Sequence, residues 1–106
     1  MSKENAQPKT AETSTEFRFP DNETMKHAYK FGIVDDKPIM LDYWTASINK
    51  VAMIGVRSND EKILVKSKEE YTSPIAKIYK VKTEYIIVTE NSIYIVDNSI
   101  PTRQIS

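Results

Sequence analysis

No cysteine occurs anywhere in this sequence. That one absence removes disulfides, thiolate nucleophiles and zinc–thiolate sites together, and it is compatible with a reducing compartment. Only two glycines are present, Gly32 and Gly55, so no glycine-rich loop can cradle a phosphate. His27 is the single histidine and no serine is framed by glycines, which leaves a hydrolase triad without its parts. Charge of one sign is also missing. The 15 basic and 15 acidic residues cancel, whereas general binders of nucleic acid or anionic membranes carry an excess of Lys and Arg. No apolar run approaches the ~20 residues of a membrane span, Met1–Thr15 lacks the apolar stretch of a secretory signal, and Arg103–Ser106 matches no lipidation or retention signal. These absences predict a non-enzymatic, cytoplasmic protein with no metal, cofactor, small-molecule substrate or membrane attachment.

At 106 residues the chain fits a single domain, one that buries only about 60–65% of its unfolded surface. A thin core of that kind favours a surface groove or an edge as the working part over a deep pocket. Residues 1–24 read as a disordered N-terminal arm. Over 1–16 the only apolar side chains are Met1, Ala6 and Ala11, too few to offset the entropy of ordering the segment. Phe17 and Phe19, flanking Arg18, could tack the arm onto the domain or onto a partner.

Residues 25–106 read as one small β domain. Tyr29, Phe31 and Ile33 alternate with Ala28, Lys30 and Gly32 in period two, predicting a first strand. Asp35-Asp36-Lys37-Pro38 is a turn cluster. Ile39, Leu41 and Tyr43 then alternate with Met40, Asp42 and Trp44, predicting a second strand. Lys50–Arg57 and Lys62–Ser67 follow around a turn at Ser58–Glu61, with Ile63 and Val65 expected to face inward, Leu64 outward, and Gly55 to mark a bulge or a close backbone approach. Ile75–Lys82, Tyr85–Thr89 and Ile93–Val96 are rich in β-branched and aromatic residues suited to a pleated, half-buried surface. Glu90-Asn91 fits a tight turn between the last two. The spacing predicts an all-β, mainly antiparallel fold of six or seven strands, a sandwich or small barrel, with the barrel favoured because it hides sheet edges.

Three groups of residues carry candidate function. Tyr43, Trp44 and Tyr71 are the candidate protein interface, since Tyr and Trp dominate interface hot spots. If Tyr43 and Trp44 share one strand, one of them points outward. Lys77, Tyr79, Lys80 and Lys82 combine aromatics for base stacking with cations for phosphate, the ingredients of a nucleic-acid face. The same residues are also what a strand former and an edge-protecting lysine would supply. A magnesium-dependent nuclease would draw on Asp21, Asp60 and Lys62, although Asp60 falls in a turn.

The runs Asp36–Trp44, Tyr71-Thr72-Ser73-Pro74-Ile75 and Thr89–Val96 resemble small uncharacterised proteins of large DNA viruses, over roughly residues 27–105. The resemblance implies a viral origin, with a virion component or host-factor binder as the setting, and brings no activity or residue role. The leading expectation is therefore an interaction or structural module that binds a protein, or its own copy, through a strand edge or exposed aromatics. The runner-up is a nucleic-acid-binding barrel.

Overall fold

The structure, a computed structural model, describes residues 17–106; the polar stretch of residues 1–16 assigned to the arm lies outside the described residues. The order of elements is α1 (Asn22–Asp35), β1 (Ile39–Met40), α2 (Trp44–Ile48), β2 (Met53–Val56), β3 (Lys62–Val65), β4 (Ile75–Val81), β5 (Glu84–Thr89), β6 (Ile93–Asp97) and β7 (Thr102–Gln104). The protein is mostly β, with seven strands in two sheets ordered β1-β6-β5-β4 and β3-β2-β7. Each sheet is mixed. The β4–β5, β5–β6 and β2–β3 pairs are antiparallel, whereas β1 runs parallel to β6 and β7 parallel to β2.

β5 and β6 are covered on both faces, which explains their nearly unbroken apolar runs. Ile86, Val88, Ile93 and Ile95 pack beneath Ala28 of α1 and Trp44 of α2. The intervening side chains Ile87 and Val96 pack on the opposite face against Ile54 and Leu64 of the second sheet, with Tyr43, Ala52 and Ile100. The result is three layers: helices, the four-stranded sheet and the three-stranded sheet.

No closed barrel forms. The β3 and β4 edges are not paired with each other; a cleft of about 370 Å³ lined by Asp60, Glu61, Lys62, Ile75, Ala76, Lys77 and Ile78 separates them. The predicted first strand is helix α1. Asp21 caps it, accepting from the Glu23 amide at 2.8 Å, and the left-handed Asp36 (φ 55°) ends it with its amide on the Gly32 carbonyl. Thr24 and Ala28, one turn apart, are small enough to bring the helix onto the sheet and are fully buried. Tyr29 and Ile33, which suggested a strand, point to solvent. The predicted second strand is equally altered: only Ile39–Met40 pairs, with Ile93 and Tyr94, and the chain turns into α2 at Trp44.

The ordered body also reaches further back than the predicted boundary at residue 25. Glu84 is completely buried at the start of β5. Its carboxylate accepts from Arg18 Nη1 at 2.7 Å and from the hydroxyls of Thr24 and Thr83. The other Arg18 nitrogen, Nη2, pairs with Asp97 at the end of β6. Phe17–Thr24 is thus part of the domain. Among the described residues no helix is long and apolar enough to cross a membrane.

Candidate functional site

The three-stranded sheet packs against the four-stranded sheet by one face only. Alternation in β2 sends Ile54 into the core and turns Met53 and Gly55 the other way; in β3 it buries Leu64 and turns Ile63 and Val65 outward. Leu64, expected to point outward, instead faces the main core against Ile87 and Val96. Ile63 and Val65 are nonetheless shielded, at 2% and 9% exposure, and lie at the bottom of a groove of about 580 Å³.

Val51, Met53, Tyr71 and Ile105 complete the apolar lining of that groove, while Arg57, Lys66 and Lys68 supply its charged side chains. No carboxylate side chain lines it. Arg57 and Lys66 also reach Glu61 and Glu70, at 3.9 and 3.2 Å. The arginine sits 5.9 Å from the Tyr71 ring centroid. Val51 and Tyr71 are more than half exposed. Gly55 has a positional reason: a Cβ there would lie 2.7 Å from Ile105 Cδ1 and 3.2 Å from Val65 Cγ2. Ile105 is held at that spot by its amide, which donates to the Val56 carbonyl at 2.9 Å. Its side chain lies over the bare backbone and becomes part of the groove.

Of the three candidate interface aromatics, only Tyr71 is presented. Tyr43 and Trp44 are 3% and 4% exposed, so neither points outward. The expectation that one would do so assumed a strand, whereas the chain at that point enters α2 and directs the two rings into different core layers. Tyr43 packs edge-on to Tyr94 at 5.3 Å, with Lys66 Nζ 4.8 Å from its ring. Burial first, and then the charge of Glu70, pushes its phenol up to about 12. Trp44 Nε1 donates to the Arg18 carbonyl at 2.8 Å.

Lys77, Tyr79, Lys80 and Lys82 do not form one face. Lys77, Tyr79 and Lys80 occupy β4, an edge strand, and alternation separates Lys80 from Tyr79. Tyr79 is stacked on Phe31 of α1 at 4.6 Å, which covers one face of its ring. Lys82, with φ 53°, belongs to the turn between β4 and β5. Asp21 is the α1 cap, Asp60 (φ 67°) is in the β2–β3 turn and Lys62 is the first residue of β3. Among the described residues no group of three or more His, Cys, Asp or Glu is placed to hold a metal ion.

The groove was only partly legible in advance. Val51 and Met53 are recognisable as a half-buried face, but β7 carries no apolar alternation in Thr102-Arg103-Gln104, and without β7 Ile105 has no reason to fold over Gly55. A second exposed apolar feature is the pair Phe17 and Phe19, whose rings meet edge to face at 5.2 Å. Comparison with protein-family models, curated proteins and solved structures yields no match to this chain.

Proposed function

We propose that this protein is a non-enzymatic interaction module whose docking surface is the groove on the outer face of β3-β2-β7. The observation that carries this reading is the groove's chemistry: an apolar floor of Met53, Ile63 and Val65, an exposed aromatic in Tyr71, and only cationic charged side chains in the lining. Such a surface suits a protein segment with apolar anchors and acidic flanks. The anchors remove Val51 and Tyr71 from water, and the carboxylates meet Arg57, Lys66 and Lys68.

A docked strand edge is the less favourable mode. β4 has an open edge, but it carries Lys77 and Lys80 and a register irregularity between Ile75 and Lys77, two devices that discourage added strands. A virion component or host-factor binder is a setting consistent with this reading. The nucleic-acid alternative has less support, because its stacking tyrosine is engaged by Phe31.

Selection of random displayed peptides on the purified protein tests the proposal. Enriched peptides should contain paired apolar anchors with acidic flanks and should lose at least tenfold in affinity on Tyr71→Ala. Peptides that bind equally well to Tyr71→Ala and Val51→Glu would exclude the groove as the docking surface.

A further inference from the structure

The chain itself contains a segment with the chemistry this groove calls for. Arg18 turns inward onto Glu84 and Asp97, and its neighbours Phe17 and Phe19 are left 55% and 78% exposed. Their edge-to-face contact makes them one two-ring projection. Arg18 is paired with two carboxylates, so its surroundings carry net negative charge, and Asp21 and Glu23 follow the rings in sequence. The groove offers the complement, an apolar floor with Lys68 beside it and with Arg57 and Lys66, each shared with one carboxylate, Glu61 and Glu70. Neither phenylalanine lines the groove of its own molecule, and the projection is anchored at the β5 and β6 ends of the other sheet.

We propose that the occupant of the groove is the Phe17–Phe19 projection of a second copy of this chain. The proposal rests on the docking reading above and specifies its partner. Charge complementarity selects this occupant, and the absence of net charge lowers the barrier to self-association. The contact is heterologous, projection to groove, so each copy keeps one free projection and one free groove, and assembly proceeds to rings or open chains. Two aromatic anchors in one groove make a small interface at the weak, transient end of the range, so association appears only in concentrated solution.

Sedimentation velocity over a concentration series up to the solubility limit tests this with two variants. Phe17→Ser with Phe19→Ser removes the projection, and Val51→Glu places a carboxylate in the groove; all three positions are exposed, and circular dichroism verifies that each variant folds. The wild type should show a sedimentation coefficient rising with concentration, and each variant alone should stay monomeric. An equimolar mixture of the two should form a one-to-one dimer and nothing larger, because one intact projection and one intact groove remain. A wild type that is monomeric throughout, variants that associate as well as wild type, or a mixture that stays monomeric would overturn the proposal. If the wild type is monomeric while selected foreign peptides still bind in a Tyr71-dependent way, self-association fails and the docking reading stands. If no peptide binds either, both fall.

Discussion

Trp44 holds Arg18 in two ways: its indole N–H donates to the Arg18 carbonyl at 2.8 Å, and its ring lies 4.9 Å beneath the same residue's guanidinium. The guanidinium then reaches Glu84 and Asp97. A single residue near the start of the folded body thereby ties α2 to the ends of β5 and β6, and the same anchoring presents Phe17 and Phe19 to solvent.

Removing the guanidinium leaves the fully buried Glu84 carboxyl group without its cationic partner. Exposed pairs contribute up to about 1 kcal/mol and breaking a fully buried pair costs about 3–5. The Arg18 side chain is 39% exposed, which places Arg18→Ala between these, at about 2 kcal/mol. Urea denaturation should show that loss, and adding Glu84→Gln should recover part of it. A double variant less stable than Arg18→Ala would contradict the pairing.

The acid side of the stability profile should report Asp97. Burial works to raise its pKa, but hydrogen bonds from Ser99 and the charge of Arg18 outweigh burial and hold it below 3.8. The unfolded chain therefore takes up the proton first as pH falls. Stability from this group is complete above about pH 4 and is lost as pH drops through the folded value. Asp97→Asn should flatten the profile in that window, as measured by thermal unfolding, and an unchanged slope would contradict the assignment.

On the alkaline side the sign is reversed. Tyr43 rises from 10.0 to about 12 on folding, so its contribution is complete below pH 10 and lost as pH climbs through the folded value. A shift of this size corresponds to on the order of 2–3 kcal/mol. Tyr43→Phe should lose less stability than wild type between pH 10 and 12, the other tyrosines and lysines being common to both proteins.

Gly55 separates groove shape from stability. The Cβ of Gly55→Ala would meet the tip of Ile105, a side chain 38% exposed and free to swing away. The expected cost in stability is under ~1 kcal/mol, since alanine also relieves the entropic cost of a strand glycine. Peptide affinity should fall several-fold because Ile105 leaves its place. Gly55→Val would press further on Val65 and cost about 1–3 kcal/mol.

Which parts of this architecture are readable from sequence follows from which residues face water. β4, β5 and β6 stand almost where alternation and β-branching put them, because Ile86, Ile87, Ile93 and Ile95 are buried whichever face they take. α1 was obscured by its own solvent side: Tyr29 and Ile33 are apolar yet exposed, and with Phe31 they imposed a false period of two on a helix whose fully buried residues are the small Thr24 and Ala28. Tyr43 and Trp44 were misplaced for a related reason, since the two-residue β1 and the five-residue α2 are too short to show any period. β7 and the groove it completes depend on parallel pairing with β2, a long-range contact that local pattern does not encode.

The most direct test of the docking surface is amide chemical-shift mapping of the isotope-labelled protein, titrated with the tightest displayed peptide. Shifts should concentrate at Val51, Met53, Val65, Tyr71 and Ile105 and leave β4 silent. Shifts confined to β4 or to α1, with the groove unperturbed, would contradict the account.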